Sequence, residues 1–326
     1  MNAPFPWFGG KRDVAAIVWN RLGSPKQYIE PFCGSAAVLL AAPAPASLEV
    51  IGDQNGFVAN FWRAVSRQPD EVAKWADYPV SHIDLGARHV WLMNSRDTLS
   101  ALQDPNWPGD AQIAGWWLWG QCAWIGSGWC EWDGKVPHTS DAGRGVQAIG
   151  KVPHTGDAGR GVQAIGKVPH TGDAGQGVLR PSLADGVGEM LTSGGETARR
   201  WLRKIAARLE RCRIVHGNWS RCLNHTYGAD ATAVFLDPPY VGYEALYGSE
   251  PVAKEVEVWA RENANLRIAL CGHRGDYSLD GWTVVDWERR RLTYSGDATK
   301  NNEAIWFSPA CLEPTTQLEL FGASNG

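Results

Sequence analysis

The sequence predicts an α/β fold in which helices cover both faces of a mostly parallel sheet. Short apolar runs alternate with helical patterns towards both ends of the chain, and this alternation is typical of strand–helix–strand units. The 326 residues are 44% hydrophobic and 20% charged, which provides enough apolar side chains for a buried core. The same composition excludes a fully disordered chain, a collagen-like fibre and a coiled coil.

Short apolar runs that end at glycine, proline or acidic residues mark the strands. We predict strands over 28–32, 48–53, 213–217, 233–240, 267–273, 282–287 and 302–307. Segments with apolar residues at helical spacing lie between most of these runs. We predict helices over 11–22, 35–42, 56–77, 197–211 and 251–264.

The stretch 61–195 interrupts the alternation, and we interpret it as a domain inserted between the two parts, 1–60 and 196–310, of a discontinuous core. Within it, a unit that begins Lys-Val-Pro-His-Thr recurs with a period of 16 residues over 135–178, the last copy being shortened. Glycine, proline, aspartate and threonine punctuate each copy, which favours loops or short hairpins. The near-identity of the copies indicates a recent duplication.

An aromatic block precedes these repeats, because seven of the 18 tryptophans lie within 107–132. We predict that Trp116, Trp117 and Trp119 lie on a helix around 110–123 and belong to a small core of their own. The alternative is that the block stacks on bases or binds a partner.

The charge is nearly balanced overall, with 31 basic and 35 acidic residues and a net charge of −4. It is uneven locally, since 199–213 carries seven basic residues against one glutamate. This basic segment has two interpretations, a solvated helix face or a surface that contacts phosphate groups.

Seven cysteines without a Cys-x-x-Cys pair favour reduced thiols over a disulfide framework or a structural zinc site. No apolar run reaches the length of a membrane span, and the first residues lack the pattern of a signal peptide. We therefore expect a protein of the cytoplasm without a structural zinc site.

Two strand ends carry residues suited to a nucleotide-like ligand. The strand 28–32 enters a turn of small residues, Cys33–Ala36, where Gly34 lets a ligand approach the backbone. The strand 48–53 ends on Asp53, an acid at a distance from Gly34 that suits the hydroxyl groups of a ribose. Taken alone, each signal is weak, and Asp53 is equally well interpreted as a helix cap.

The strongest chemical signal is Asp-Pro-Pro-Tyr over 237–240. Two prolines must end the strand, because they cannot donate ladder hydrogen bonds, and they stiffen the turn that follows. Such a turn presents a carboxylate and a carbonyl group at a fixed spacing beside an aromatic ring. This arrangement suits a planar base with an exocyclic amine.

These motifs resemble those of the Dam-type DNA adenine-N6 methyltransferases, which use S-adenosylmethionine. The motif Pro6–Lys11 is similar to the family's amino-terminal motif, Ile29–Ser35 to its cofactor loop, Asp53 to its ribose-binding acid, and Asp237–Tyr240 to its catalytic tetrapeptide. In addition, Asn301–Trp306 resembles the segment near the family's last core strand. Ala36 stands where a second glycine is usual in the family.

The resemblance implies a Rossmann-like methyltransferase sheet with helices on both faces, an inserted target-recognition domain, and methyl transfer to N6 of a flipped adenine. The catalytic residues it implies are Asp237, Pro238, Pro239 and Tyr240. The cofactor-binding residues it implies are Trp7, Gly10, Lys11, Glu30, Pro31, Phe32, Gly34, Ser35, Asp53, Asn218, Trp219 and Asp237.

DNA is the macromolecular partner that the resemblance implies. The resemblance also implies a bacterial or phage-infected cell and a reaction that needs no metal. The residues expected to contact it are Arg289, Arg290, Arg291 and Lys300 near the last strands, with Trp124 and Trp129 in the insertion. One alternative is a methyltransferase that acts on an RNA base or a protein glutamine amide. An alternative of another class is an inactive protein that binds DNA or a sliding clamp.

The tail, 311–326, follows the last predicted strand and contains Gln-Leu-Glu-Leu-Phe. This segment resembles the peptide by which bacterial replication and repair proteins hold the sliding clamp. The resemblance rests on Gln317, Leu318, Leu320 and Phe321. The alternative is that these apolar residues pack back on the core.

Overall fold

The computed structural model describes residues 1–7, 10–124, 129–130, 194–223, 228–239, 252–287 and 302–313, apart from the side chains of 82 and 194–197. The Asp-Pro-Pro-Tyr tyrosine, the repeats, the basic residues near the last strands and the clamp-like peptide lie outside these ranges. They are Tyr240, residues 135–178, Arg289, Arg290, Arg291, Lys300, Gln317, Leu318, Leu320 and Phe321.

A seven-stranded mixed sheet forms the α/β fold, which confirms the predicted fold class. Its strands are β1 (Gln27–Glu30), β2 (Leu48–Asp53), β3 (Cys212–His216), β4 (Thr232–Leu236), β5 (Arg267–His273), β6 (Thr283–Asp286) and β7 (Glu303–Phe307). The spatial order is β3-β2-β1-β4-β5-β7-β6. The pairs β1–β2, β1–β4 and β4–β5 are parallel, whereas β7 runs antiparallel to both β5 and β6.

The α-helices are α1 (Ala15–Leu22), α2 (Ala37–Leu40), α3 (Gly56–Arg67), α4 (Pro69–Ala76), α5 (His82–Asn94), α6 (Ala111–Ala123), α7 (Gly194–Arg208) and α8 (Val252–Glu262). The single helix predicted over 56–77 is wrong, because the chain breaks at Gln68 and α4 begins with Pro69. Proline has no N–H for the preceding turn and suits the first helical position. Helix α5 was not predicted. None of the helices in the described ranges has the length and apolar composition that crossing a membrane requires.

Contacts divide the described chain into two compact units. The first takes its residues from Met1–Gly10 and Gly52–Asn218, and it contains α3 to α7. The second takes its residues from Lys11–Ile51, Trp219–Arg291 and Thr299–Gly326, and it contains α1, α2, α8 and most of the sheet.

The core of the second unit lies on its central strands. All residues of β1, β4 and β7 are buried, as expected for strands covered on both faces. Helix α1 contributes Val18 and Leu22, and the Trp19 indole donates a hydrogen bond of 2.8 Å to the Val38 carbonyl oxygen. Because β1, β4 and β5 pair in parallel, their carboxyl ends meet at one edge of the sheet.

Aromatic side chains build the core of the first unit. Trp62, Trp117 and Trp119 are almost fully buried, and Phe5 packs edge-on against Trp117 with ring centroids 4.8 Å apart. This packing confirms the predicted core role of Trp117 and Trp119, whereas Trp116 on the same helix is only partly buried. Gly120 is required at its position in α6, because an added Cβ would lie 1.8 Å from the Trp129 ring.

Candidate functional site

The candidate site in the second unit begins where β4 ends. Asp237 follows Leu236 directly, and the described chain continues through Pro238, which is buried, and Pro239, which is partly exposed. The strand predicted over 233–240 therefore stops at Leu236, since neither proline can donate to a ladder. The turn places a carboxylate and two donor-free peptide groups at the carboxyl edge of the sheet.

Lys11 and Asp237 form an ion pair at this edge. The Lys11 ammonium nitrogen lies 2.8 Å from Oδ1 and 2.9 Å from Oδ2 of Asp237. The Lys11 side chain is 3% exposed and that of Asp237 is 19% exposed. Burial acts to lower the pKa of Lys11, but attraction to Asp237, with smaller contributions from Cys271 and Glu303, raises it above its usual value. The lysine is therefore a fixed cation at neutral pH.

Glu30, at the end of β1, is a second acid at the same edge. It is 2% exposed and accepts hydrogen bonds from the Tyr28 hydroxyl at 2.9 Å and from the Leu39 amide at 3.1 Å. Burial raises the pKa of Glu30 to about 8, and the neighbouring Asp237 adds to the rise. Glu30 is consequently protonated at neutral pH while the Lys11–Asp237 pair carries the charges.

Two acidic groups of neighbouring strands were missed as site residues. The Cys271 thiol on β5 and the Glu303 carboxyl group on β7 both interact electrostatically with Lys11, and burial raises the pKa of Cys271 well above its usual value. Local motifs could not identify these two residues, because only the strand order β4-β5-β7 places them near the Lys11–Asp237 pair.

The turn after β1 adopts an unusual backbone. Gly34 has φ 44° and Ala36 has φ 48°, and both angles lie in the left-handed region that favours glycine. Ala36 occupies the position where the resembled family usually has glycine, and its φ shows why glycine suits that position. The turn lies next to Phe32, whose ring faces Trp219 with centroids 6.1 Å apart and planes 24° apart.

Trp219 lies beside this turn with an unused donor. Its ring is buried and packs edge-on against Trp259 at 6.0 Å. The indole Nε1 is buried and has no hydrogen-bond acceptor in the described part of the chain. A buried N–H without an acceptor is costly, so this donor is available to a ligand that brings one.

The predicted cofactor residues of the first unit have partners of their own. Asp53 ends β2, its carboxylate accepts a hydrogen bond of 2.8 Å from the Asn55 amide, and its carbonyl oxygen accepts one of 3.1 Å from Gly217. Asn218 follows Gly217 and so lies near Asp53 along the backbone. The Asn55 side chain, which accepts from Phe57, is the cap of α3, so Asp53 is not the N-cap residue.

Trp7 and Gly10 form a turn, because the Gly10 amide donates a hydrogen bond of 3.0 Å to the Trp7 carbonyl oxygen. The Trp7 ring joins the aromatic core of the first unit, 6.1 Å from the Trp117 centroid. The two residues are therefore held by the first unit, and Lys11 is the first residue of the second.

Among the predicted DNA-contact residues, Trp124 and Trp129 are described. Trp124 stacks on His89 of α5 with centroids 5.5 Å apart and planes 18° apart. Trp129 is buried, and its indole donates a hydrogen bond of 3.0 Å to the Trp117 carbonyl oxygen. Trp129 is thus a core residue. Its ring also contacts His89, and the sequence did not predict this contact.

The basic segment over 199–213 is partly paired within the first unit. The Arg203 guanidinium binds both carboxylate oxygens of Asp70, at 2.7 and 2.9 Å. This hydrogen bond, together with Arg199, lowers the pKa of Asp70. The pairing ties α7 to α4, which favours the interpretation of this segment as a solvated helix face.

The sheet and its carboxyl edge together are consistent with a Rossmann-like methyltransferase. Residues 7–82 match the family model of D12 class N6 adenine-specific DNA methyltransferase. This match confirms the predicted resemblance and is consistent with the Dam-type adenine methyltransferases. It supports DNA adenine methylation as the general activity. It covers less than a quarter of the 326 residues and does not include the Asp-Pro-Pro-Tyr turn.

A comparison with curated proteins gives no match. Within the described ranges, no group of three or more histidine, cysteine, aspartate or glutamate side chains is arranged to hold a metal ion.

Proposed function

We propose that this chain transfers a methyl group from S-adenosylmethionine to N6 of an adenine that is turned out of duplex DNA. The observation that carries this proposal is the ionised Asp237 at the end of β4, held by Lys11 at 2.8 and 2.9 Å. The carboxylate precedes a turn in which Pro238 and Pro239 offer carbonyl acceptors and no N–H donors.

The chemistry of the adenine amine explains the need for such acceptors. The N6 lone pair is delocalised into the ring, which makes the amine a poor nucleophile. Hydrogen bonds from its two N–H groups to the Asp237 carboxylate and the Pro238 carbonyl oxygen would favour the pyramidal, reactive nitrogen. Tyr240 would stack on the flipped base, whose extrusion costs a few kcal/mol.

The turn after β1 fits a nucleoside cofactor on two observations. Gly34 and Ala36 adopt left-handed backbone angles, in a turn of small residues that would let a ligand approach the backbone. The buried Trp219 N–H has no acceptor in the described chain. When bound, S-adenosylmethionine supplies an electrophilic methyl group on a sulfonium centre. The residues proposed to hold it, apart from Lys11, are Trp7, Gly10, Glu30, Pro31, Phe32, Gly34, Ser35, Asp53, Asn218, Trp219 and Asp237.

DNA recognition is proposed for the inserted segment 61–195, with Trp124 as its described contact residue and Trp129 as the buried ring behind it at 5.3 Å. Arg289, Arg290, Arg291 and Lys300 would bind phosphate groups. The repeats over 135–178 contain few side chains for bidentate base contacts, which favours a short or relaxed adenine context over a long recognition sequence.

The tail is proposed to anchor the enzyme on the sliding clamp through Gln317, Leu318, Leu320 and Phe321. Two leucines and a phenylalanine suit an apolar pocket, and a glutamine suits a polar rim. The enzyme would then act on chromosomal or phage DNA in the cytoplasm, and a tether would raise its concentration at newly made strands.

The proposed activity can be tested with the purified chain, S-adenosylmethionine and two duplexes, one of A·T pairs and one of G·C pairs. We expect N6-methyladenine, detected by mass spectrometry, in the first duplex alone. Asp237→Ala should lower turnover at least tenfold, which corresponds to about 1.4 kcal/mol. It should weaken cofactor binding by calorimetry much less, because the other residues named above are also proposed to hold the cofactor.

Asp286→Ala is the matched control, because Asp286 is an exposed aspartate of the same unit that pairs with Arg274 at 2.6 Å. It should retain full turnover. Methylation of RNA or of a glutamine peptide, with none on DNA, would favour the alternative substrates. If calorimetry detects no heat of binding when S-adenosylmethionine is added, the chain would be an inactive protein that binds DNA or a clamp.

A further inference from the structure

Lys11 holds the Asp237 carboxylate in one orientation. Its ammonium nitrogen contacts both oxygens, at 2.8 and 2.9 Å, so rotation of the carboxylate about its bond to Cβ would break one contact. Lys11 is 3% exposed, and it directly precedes the short helix Arg12–Val14, which leads into α1. The buried Lys11 ammonium group therefore faces the Asp237 carboxylate.

Each element that faces the Lys11–Asp237 pair contributes an acidic side chain to its surroundings. They are Glu30 of β1, Cys271 of β5, Tyr277 after β5, and Glu303 of β7. Burial in these surroundings favours the neutral form of an acid, as it does for Glu30 and Cys271, whose pKa values it raises. An adjacent ammonium group opposes this tendency, because opposite charges close together favour both ionised forms.

The protonation state of Asp237 matters for its proposed role. An ionised carboxylate is only an acceptor, whereas a protonated one carries a donor that would face the amine. Each carboxylate oxygen has two lone pairs, so a carboxylate can accept more hydrogen bonds than the two it receives from one ammonium group. Contact with Lys11 therefore does not by itself prevent the carboxylate from accepting a hydrogen bond from the amine.

We propose that Lys11 is a positioning residue for the methyl transfer: it keeps Asp237 ionised and fixes its oxygens towards the adenine amine. This inference rests on the proposed function. It differs from the role that the sequence resemblance implies for Lys11, which is binding of the cofactor. The two roles predict different consequences for the same substitutions.

The test compares Lys11→Met and Lys11→Arg with the wild-type chain at saturating cofactor and DNA, over pH 5–9. For Lys11→Met we expect at least a tenfold loss of kcat at neutral pH and an acid limb of the kcat profile moved up by about 1 pH unit or more. Lys11→Arg keeps a cation and should keep the wild-type position of the acid limb. Cofactor affinity by calorimetry should change less than about threefold for both variants, well under one decade in an equilibrium constant.

A tenfold loss of cofactor affinity in Lys11→Met, with an unmoved pH profile, would overturn the proposal and assign Lys11 to the cofactor. Unchanged kcat and pH profile would overturn it as well. Failure of the wild-type chain to methylate adenine would instead contradict the proposed function, and the pair can then be tested without activity.

That second test is a double-mutant cycle on thermal unfolding with Lys11→Met, Asp237→Asn and the double variant. A coupled pair predicts that the loss of melting temperature in the double variant is smaller than the sum of the two single losses. Additive losses would show that Lys11 and Asp237 do not stabilise each other. If Lys11→Met does not fold, Lys11→Gln takes its place in both tests, because glutamine also removes the charge.

Discussion

The Leu39 amide donates a hydrogen bond of 3.1 Å to the buried Glu30 carboxyl group, which ties α2 to the end of β1. The same oxygen accepts a hydrogen bond from the Tyr28 hydroxyl at 2.9 Å. Burial nevertheless dominates and raises the pKa of Glu30 to about 8 from its usual 4.5. A protonated acid therefore ends β1, directly before the turn that contains Gly34 and Ala36.

This relationship predicts a pH-dependent effect of Glu30→Gln on stability. The folded state keeps a proton on Glu30 that the unfolded chain releases above pH 4.5. The contribution of Glu30 to stability therefore falls as pH rises from 4.5 to about 8. Glutamine has no proton to lose, so the variant should gain stability relative to the wild-type chain across this window. Melting temperatures measured at pH 5, 6.5 and 8 check the trend, and a constant difference would contradict it.

A second prediction concerns the close contact between Gly120 and Trp129. An added Cβ would lie 1.8 Å from the ring, so Gly120→Ala must displace a buried indole, at a cost of about 1–3 kcal/mol. Gly86→Ala in α5 is the matched control, because a Cβ there meets nothing within 4 Å. The control should stabilise the helix by about 0.5–1 kcal/mol. Chemical unfolding of both variants measures the contrast, and equal effects would show that Trp129 packs elsewhere in solution.

Most strand positions were predictable from the sequence. The proline, glycine or acidic residue at the end of an apolar run marks the point where the ladder hydrogen bonds of the strand also end. The strand predicted over 233–240 was too long, because Pro238 and Pro239 cannot donate ladder hydrogen bonds and the strand ends at Leu236. The antiparallel β6–β7 edge departs from the mostly parallel sheet predicted, since alternation of strands and helices indicates parallel pairing only where a helix intervenes.

Helix α5 could not be predicted for a physical reason. It buries the polar residues Arg88 and His89 and exposes Ile83, so its hydrophobic pattern does not follow the face it buries. The Arg88 guanidinium lies 4.2 Å from the ring centroids of both Tyr78 and Trp119. Arg88 therefore packs against aromatic ring faces at a position where an amphipathic helix usually buries an aliphatic side chain. Hydrophobic periodicity in the sequence does not detect such a contact.

The candidate site was predictable residue by residue but not in its contacts. Asp237 and Glu30 were identified from local motifs. The Lys11–Asp237 pair joins residues 226 positions apart, and only the strand order brings them together. Lys11 was accordingly expected beside a cofactor rather than on a carboxylate.

The third prediction concerns Asp53, whose proposed role is to bind the cofactor ribose. Asp53→Ala should raise the dissociation constant of S-adenosylmethionine at least tenfold, about 1.4 kcal/mol, and change kcat at saturation much less. The same substitution removes the 2.8 Å hydrogen bond from Asn55, so calorimetry must be accompanied by a melting curve. A lower melting temperature with unchanged cofactor affinity would show that Asp53 stabilises the local turn and does not bind the cofactor.

The last prediction concerns the tail, where Gln317–Phe321 resembles a clamp-binding peptide. If it anchors the chain, replacing both Leu320 and Phe321 with alanine should abolish binding to a purified bacterial sliding clamp, because these side chains would fill its apolar pocket. The variant should methylate naked DNA as fast as the wild-type chain, since a tether adds no contact to the base or cofactor. Surface plasmon resonance and a methylation assay check the two parts, with Leu312→Ala as a control that changes an apolar residue just before the peptide and is 42% exposed. Equal clamp binding by all three chains, or binding by none, would exclude the anchor. Loss of methylation together with clamp binding would show instead that the tail contributes to the enzyme itself.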